Sequence, residues 1–266
     1  MNEAAWERRN RLAYDHRARS GARHTRSVLS EDLANPMPIM DPEGWMGGSV
    51  RGQRVLCLAA GGGLQSALMA AAGAVVTVFD LSAEMLAKDE QVARDHGLKV
   101  RPVLGNMENL APLTDESFDL VWQPVSSCYV PDLGKVYREV ARVLVPGGRY
   151  IVQHKQPASL QADAQPVATG GFLIRERYNN RSSPLPEVLP CLHRESEMTE
   201  FLHTWSDLIG GLARSGFAVL DLVEPAQPTE GPWGERCRYL PPYVKIKAQK
   251  NGQTPIPDSG FKVWRP

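Results

Sequence analysis

An apolar run that stops at three consecutive glycines constrains the fold of this chain more than any other stretch. The segment 54–65 reads RVLCLAAGGGLQ, in which a β-rich run gives way to Gly61, Gly62 and Gly63 before a helical pattern begins. Glycines let a backbone approach a ligand closely, and the N-terminus of the following helix presents unpaired N–H groups with partial positive charge. We therefore expect a strand, a ligand-binding turn and a helix here, with a tight turn that binds nothing as the alternative.

β-Rich runs and helical patterns alternate through the middle of the chain. This order predicts βαβ units whose parallel sheet is covered on both faces. The predicted strands are 55–59, 75–79, 99–104, 118–123 and 149–154, and the predicted helices between them are 63–72, 82–96 and 133–144. A helix at 197–214 and strands in FAVLDLVEP and YLPPYVKIKAQK complete the predicted domain.

Three segments outside this alternation define the expected domain organisation. Residues 1–50 form a basic N-terminal arm, 51–250 the main domain with a proline- and glycine-rich insertion at about 155–195, and 251–266 a tail. The first thirty residues carry seven arginines against three acidic residues. That balance is typical of a solvated helix face, a lid over an anionic ligand or a nucleic-acid contact.

The overall composition argues against several classes of protein. Lys and Arg together number 30, as do Asp and Glu, so no global charge favours nucleic acid or an anionic membrane. No apolar run approaches the roughly 20 residues that span a bilayer. Because the arginine-rich start also lacks an apolar core followed by a cleavage site, we expect a cytoplasmic protein. Four scattered cysteines predict reduced thiols. We expect no metal centre, because Cys191, His193 and Glu197 form only a weak ligand pattern.

An acidic residue at the end of the second strand extends the ligand hypothesis. Asp80 follows Gly63 by seventeen positions, and its carboxylate can accept hydrogen bonds from both hydroxyls of a ribose. A glycine turn with this acid indicates adenosine binding, and Asp80 as a cap of the next helix is the alternative. The spacing Gly61-x-Gly63-x-x-Ser66 is also close to the dinucleotide-binding fingerprint.

Four motifs in order resemble the class I S-adenosylmethionine-dependent methyltransferases, especially the group that includes the ubiquinone and menaquinone biosynthesis methyltransferases. Their sequences are VLCLAAGGG, VTVFDLSAEMLAKD, GNMENLAPLTDESFDLV and VYREVARVLVPGGRYIV, which correspond to the family's glycine turn, ribose acid, adenine loop and Pro-Gly-Gly turn. The resemblance implies S-adenosylmethionine as cofactor. It also implies an α/β, Rossmann-like, doubly wound sheet of seven strands, mostly parallel with an antiparallel C-terminal strand.

The resemblance assigns cofactor-binding roles residue by residue. Asp80 would hold the ribose, Leu81 would pack against adenine, and Gln123 would face the sulfonium region. Asn106 and Met107 would meet the polar edge of adenine. The turn at the methionine end would be formed by Ala59, Ala60, Gly61 and Gly63.

Three positions depart from the family pattern. Cys57 replaces the usual acid of the first strand, which removes an anchor near the cofactor's amino group. Ala59 replaces the first glycine, and its methyl group is expected to fit only if φ stays negative. Asn106 replaces a common Asp, so it accepts a hydrogen bond from the adenine amine without charge and more weakly.

Candidates for the chemistry lie where the fourth and fifth strands end. His154, in IVQHKQP, is predicted to act as a base or substrate contact, with a structural histidine as the alternative. Tyr129, in PVSSCYVPD, would orient the acceptor or contact the sulfonium methyl, unless it packs under the cap. The neighbouring residues Ser126, Ser127 and Cys128 are predicted to shape the loop.

Two further groups of residues border the expected acceptor pocket. A lid could include Tyr14, Arg19, Arg23 and His24, and the late helix could contribute His203 and Trp205. Together these features predict an enzyme that moves a methyl group from S-adenosylmethionine to a small-molecule acceptor by in-line displacement. The alternatives are an RNA methyltransferase that uses the basic arm, and a non-catalytic or dinucleotide-binding module.

Overall fold

A seven-stranded sheet in the order β3-β2-β1-β4-β5-β7-β6 forms the centre of the molecule. The structure is a computed structural model and describes residues 3–21, 28–179, 183–188, 191 and 193–251. Strands β1 to β5 pair in parallel, and β7 runs antiparallel to both of its neighbours. The strands are β1 Arg54–Leu58, β2 Val75–Asp80, β3 Val100–Leu104, β4 Phe118–Gln123, β5 Leu144–Lys155, β6 Phe217–Val223 and β7 Tyr243–Lys250.

Helices cover both faces of the sheet. Alternate residues of each central strand face opposite sides, so Leu56 and Leu58 pack with α6 residues while Val55 and Cys57 pack with α4 residues. The α-helices are α1 Ala5–Ser20, α2 Ser30–Ala34, α3 Met37–Met40, α4 Gln65–Ala71, α5 Ala83–Asp95, α6 Leu133–Val143, α7 Pro157–Gln161, α8 Gly211–Arg214 and α9 Gly231–Tyr239. A short 3-10 helix spans Ser127–Tyr129, and a π-helical turn spans Ser206–Gly210. This arrangement confirms the predicted Rossmann-like fold.

Local sequence signals explain where the helix after β2 begins and ends. The hydroxyl of Ser82 accepts a hydrogen bond from the Met85 N–H at 3.1 Å, which caps the first turn of α5. At the other end, Gly97 adopts a φ of 64°. Both features agree with the predicted helix at 82–96.

The late helix begins later than the sequence predicted. Instead of starting at 197, helical structure starts at residue 205 and continues through the π-helical turn into α8. The cause is a reciprocal cap, in which the Asp207 carboxylate accepts from the backbone N–H and hydroxyl of Thr204 while the Asp207 N–H donates to the Thr204 hydroxyl. Helix α9 was not predicted, and β5 starts at Leu144 rather than 149 because the Pro-Gly-Gly turn lies within it.

The N-terminal arm is joined to the main core. Its residues Met40, Trp45, Met46 and Val50 are buried in the same cluster as Val55 of β1. Within the described residues, no helix combines the length and the apolar character needed to cross a bilayer. The predicted tail beyond residue 251 and the lid candidates Arg23 and His24 lie outside the described residues.

Candidate functional site

A cavity of about 390 Å³ lies at the carboxyl ends of β1, β2 and β4. This is where an open parallel sheet binds ligands, and the volume is within the range of small-molecule sites. Helix α1 and the segment around residue 195 complete the wall. The predicted site residues that line the cavity are Ala59, Ala60, Gly61, Asp80, Leu81, Asn106, Met107 and Tyr129.

The turn after β1 differs from the expectation in one respect. Ala59 has a φ of 49°, so the alanine occupies the left-handed region that glycine favours, and the expectation of a negative φ was wrong. The reason is that β1 ends there: the Ala59 N–H still bonds to the Phe79 carbonyl at 2.7 Å, after which the chain turns sharply into the glycines. The alanine is accommodated with backbone strain rather than without it.

A buried acid that the sequence analysis missed holds the glycine turn. Asp89 of α5 accepts hydrogen bonds from the N–H groups of Gly62 (2.8 Å) and Gly63 (3.1 Å) and from the Ser66 hydroxyl. Burial raises the pKa of Asp89 to about 7, although these hydrogen bonds oppose the shift. The sequence does indicate Asp89, because it is an acidic residue within the apolar stripe of a predicted helix.

The predicted ribose acid faces the cavity and is oriented by the backbone. One carboxylate oxygen of Asp80 accepts from the Gly61 N–H at 2.9 Å and the other from the Ser82 N–H at 2.9 Å. Each oxygen keeps a second lone pair for a ligand hydroxyl. Desolvation raises the pKa of Asp80, and the backbone N–H groups of Ser82, Gly61 and Leu81 oppose that shift.

An apolar part of the wall suits a flat base. Leu81, Met85 and Met107 are apolar lining residues, and Asn106 lies beside them. The Asn106 side-chain oxygen accepts from the Glu108 N–H at 2.9 Å, so the loop itself uses one of its two lone pairs. A carboxylate for a diol, apolar surface for a base and an amide for the polar edge together fit an adenosyl group.

Two predicted cofactor contacts do not line the cavity. Gly63 lies against α5, where an added Cβ would stand 2.7 Å from Val92 Cγ2, so its small size serves the packing of that helix. Gln123 is buried, and its amide contacts the Ser126 hydroxyl (2.8 Å) and the Tyr150 hydroxyl. The Gln123 amide also contacts Met107 Sδ at 3.5 Å, so Gln123 reaches a ligand through Ser126 and Met107, which both line the cavity.

His154 also lies outside the cavity, on the face of β5 that packs against α6. It is fully buried, with Nδ1 2.6 Å from the Ser127 hydroxyl and Nε2 3.3 Å from the Tyr137 hydroxyl. Tyr137 donates its hydroxyl hydrogen to the Leu208 carbonyl, so Nε2–H donates to Tyr137 and Nδ1 accepts from Ser127. Burial lowers the pKa of His154 to about 3. With both nitrogens engaged, the predicted role as a base loses its geometric support.

Several other candidates lie away from the cavity. His203 is buried with Nε2 near the carbonyls of Ser127 and Val130, and Trp205 packs against the core under α6. His193 stacks on Trp233. Among the described residues, no cluster of three or more His, Cys, Asp or Glu could hold a metal ion.

The remaining cavity wall combines rings with buried charges. Trp6, Asn10 and Tyr14 of α1 line it, and the Tyr14 and Tyr129 rings meet edge to face with centroids 5.7 Å apart. The Tyr129 hydroxyl donates to the carboxylate of Glu195. Arg17 forms an ion pair with Glu195 at 3.0 Å, which ties α1 to this wall.

Helix α1 is fastened at two further points. The Asn10 side chain donates to the Thr199 carbonyl at 3.0 Å and accepts from the Thr199 N–H at 2.7 Å. The Ser82 hydroxyl donates to Asp15 at 2.6 Å. Tyr14 thus lies where the lid was predicted, whereas Arg19 pairs with the exposed Glu84 at 3.2 Å and does not line the cavity.

Lys155 is the charged residue of β5 that reaches the cavity. Gln153 and Lys155 share the face of the strand opposite to His154, and both line the wall. The alternation of β5 is a sequence signal that could have identified Lys155. Trp6, Asn10 and Glu195 carry no comparable signal, since they come from segments distant in sequence.

Comparison with known proteins identifies relatives of this chain. The methyltransferase domain family matches residues 56–152. An uncharacterized methyltransferase of Bacillus subtilis, YbaJ, is 35% identical over 193 residues, which cover 70% of this chain and 74% of that protein. A ubiquinone biosynthesis O-methyltransferase of Xanthomonas oryzae is 39% identical over 114 residues, 41% of this chain and 46% of its own length. The chain thus matches less than half of that curated relative.

A solved structure agrees over nearly the whole chain. Geranyl diphosphate C-methyltransferase from Streptomyces coelicolor, determined with S-adenosyl-L-homocysteine, Mg²⁺ and geranyl diphosphate, superposes with a TM-score of 0.59 at 16% identity, covering 94% of this chain and 100% of that one. At that identity the likeness shows the fold. Taken with the sequence relatives, the fold and the site place this chain in the class I S-adenosylmethionine-dependent methyltransferase family.

The activity follows from this membership. The comparisons with the methyltransferase domain family and with the Bacillus subtilis relative show that the protein is an S-adenosylmethionine-dependent methyltransferase. They favour neither the RNA methyltransferase nor the dinucleotide-binding module that the sequence left open.

Proposed function

We propose that the cavity holds S-adenosylmethionine between the glycine turn and the loop after β3, and that the small-molecule acceptor enters beneath α1. The observation that carries this assignment is the Asp80 carboxylate, which faces the cavity with both oxygens oriented by backbone N–H groups. Asp80 would bind the ribose hydroxyls, Leu81 and Met107 the two sides of the base, and Ala59 to Gly61 the methionine end. The bound cofactor supplies an electrophilic methyl group on a sulfonium.

Gly63 and Gln123 act indirectly in this proposal. Gly63 lets α5 pack closely beneath the turn, and Gln123 orients the Ser126 hydroxyl that borders the cavity. Both residues would therefore support the cofactor site without touching the cofactor.

Tyr129 is proposed to orient the acceptor. Its ring forms part of the cavity wall, and its hydroxyl is fixed by Glu195, which Arg17 holds in turn. Alignment of nucleophile and methyl carbon is the main contribution a methyltransferase makes to an in-line displacement. Trp6 and Tyr14 on α1 close the wall beside Tyr129, so α1 excludes water from the reacting groups.

His154 is proposed to have a structural role. Its two hydrogen bonds join the 3-10 helix that carries Tyr129 to α6. This role agrees with its complete burial and its depressed pKa.

Calorimetry with S-adenosylhomocysteine tests the cofactor site. Asp80→Asn removes the charge that accepts from the ribose, so the dissociation constant is expected to rise by about 10- to 100-fold. Asp119→Asn is the matched control, because Asp119 pairs with Arg54 at the opposite end of the strands and should leave affinity unchanged. Equal affinity of wild type and Asp80→Asn would refute the assignment of Asp80.

A further inference from the structure

The acceptor end of the cavity contains a buried lysine that the methyl transfer itself does not require. The Lys155 side chain is only 7% exposed, and it lines the cavity beside Tyr129, with Nζ 5.9 Å from the centroid of that ring. Within the described part of the chain, its one ion-pair partner is Glu200, which lies behind it. An ammonium group has three N–H donors, so Lys155 retains donors for a ligand.

The charges around Glu200 do not balance. Glu200 is fully buried, and its two oxygens bind two cations, Lys155 on one and Arg194 on the other at 3.0 Å. Arg194 is 5% exposed, so two buried cations share a single carboxylate. The set formed by Lys155, Arg194 and Glu200 therefore carries one excess positive charge in a desolvated place, where an unmatched charge is costly.

In the part of the molecule that the structure describes, the neighbouring acids do not remove this excess. Glu195 also borders the cavity and is an electrostatic partner of Lys155, but it pairs with Arg17 at 3.0 Å, and Arg17 pairs in addition with the more exposed Glu197 at 3.2 Å. Burial raises the pKa of the Cys128 thiol, which keeps it neutral. On the other side, Arg236 is buried and bonds to the Ser159 hydroxyl and to backbone carbonyls. Arg236, Lys155 and Arg194 all act electrostatically on His193, so they share one region. With Arg17 they make four cations against the three carboxylates of Glu195, Glu197 and Glu200, which leaves one positive charge unmatched.

The titration of nearby groups agrees with this charge distribution. Burial lowers the pKa of His193 to about 3, and Arg236, Lys155 and Arg194 contribute to the shift. Desolvation lowers the pKa of Lys155, but neighbouring acidic groups, Glu200 and Glu195 among them, outweigh it and raise the pKa overall. Lys155 is therefore a permanent cation at neutral pH and does not serve as a base.

We propose that the methyl acceptor is a small organic anion whose negative group binds Lys155 Nζ, while its apolar body lies among Trp6, Tyr14 and Tyr129. Such a ligand neutralises the excess charge of the buried set and pairs with the ammonium in a low-dielectric cavity. The proposal rests on the proposed function, because it assigns the acceptor half of that site. It makes Lys155 a specificity-determining residue.

Two probes of equal shape and different charge test the proposal. Binding of benzoate and benzamide to protein saturated with S-adenosylhomocysteine is measured by ligand-observed NMR. Benzoate is expected to bind at least about tenfold more tightly than benzamide, and Lys155→Met should abolish that preference while Lys155→Arg retains it. Lys135→Met, at a half-exposed lysine paired loosely with Glu108, is the surface control and should change nothing.

Several outcomes would overturn the proposal. These are equal binding of the two probes to wild type, no benzoate binding at about 10 mM, or a benzoate preference that survives Lys155→Met. Titration of S-adenosylhomocysteine into the same samples separates a failure of the cofactor site from a failure of the acceptor assignment.

Discussion

Replacing Ala59 with glycine should stabilise the protein, although it shortens a side chain. Ala59 has a φ of 49° in the turn that ends β1, and the left-handed region costs a non-glycine residue roughly 1–2 kcal/mol. Glycine removes that strain but adds about 0.5–1 kcal/mol of unfolded-chain entropy to be lost on folding. The difference predicts a gain of about 0.8 kcal/mol for Ala59→Gly, within a range of about 0–1.5 kcal/mol.

Urea unfolding without cofactor provides the measurement, and two other residues provide matched controls. Ala60, the next residue, lies outside the left-handed region and is buried, so Ala60→Gly should destabilise by about 1 kcal/mol. Glu116 has a φ of 51° on the surface, far from the cavity. Glu116→Gly should also stabilise the protein. Its gain should be smaller by a few tenths of a kcal/mol, because the variant loses the exposed ion pair between Glu116 and Lys250 at 3.4 Å.

The sign of the effect decides between strain and packing. If Ala59→Gly destabilises the protein as much as Ala60→Gly does, packing of the Ala59 methyl group stabilises the fold by more than the strain of its positive φ destabilises it. That result would refute the explanation by strain. If Ala59→Gly and Glu116→Gly stabilise while Ala60→Gly destabilises, the turn after β1 carries a strain that a glycine would remove.

The remaining predictions concern buried titratable groups. His154→Ala should lower the free energy of unfolding by about 2–4 kcal/mol, because it leaves the Ser127 and Tyr137 hydroxyls without their His154 partner. The affinity of this variant for S-adenosylhomocysteine should keep the pH dependence of wild type. A loss of that pH dependence would show that His154 acts in the ligand site. Stability should fall on acidification from pH 6.5, because His154 and His193 have folded pKa values of about 3 against 6.5 when unfolded, so the unfolded chain binds more protons. Asp89 acts in the opposite direction, since its pKa of about 7 exceeds the unfolded value of 3.8 and the folded state holds its proton longer. Near pH 5 the unfolded chain binds two more protons at the two histidines and the folded state one more at Asp89, so the free energy of unfolding should fall by about 1–2 kcal/mol per pH unit on acidification. Asp89→Asn should make this fall steeper. A urea midpoint that stays flat or rises on acidification would contradict these assignments.

The sequence predicted those parts of the fold that local chemistry controls. The strand–helix alternation and the cap at Ser82 follow from side-chain period and short-range hydrogen bonds, and the structure has them where expected. The late helix begins after the position that its apolar periodicity indicates, because Thr204 and Asp207 form a reciprocal cap there. Apolar periodicity alone therefore identified that helix but not its start.

Long-range packing limits what the sequence can say about the site. The turn at 59–63 and Asp80 lie within one βαβ unit, so a motif identifies them together. The acceptor wall is assembled from α1, the end of β5 and the segment around Glu195, which are up to 189 positions apart in the Asn10–Thr199 pair. No motif records contacts between such segments, and the insertion therefore showed only as a break in the alternation.

The strand ends show why His154 and Gln123 were assigned to the ligand. Both are polar residues at the carboxyl end of a parallel strand, which is the right edge of the sheet. In each strand, however, the neighbouring residue faces the cavity: Lys155 beside His154 and Trp122 beside Gln123. Because side chains alternate along a strand, one position decides between a buried structural group and a ligand contact. On β5 that choice replaces a neutral imidazole with a cation, Lys155, and we therefore expect an acceptor that carries a negative group for Lys155 to bind.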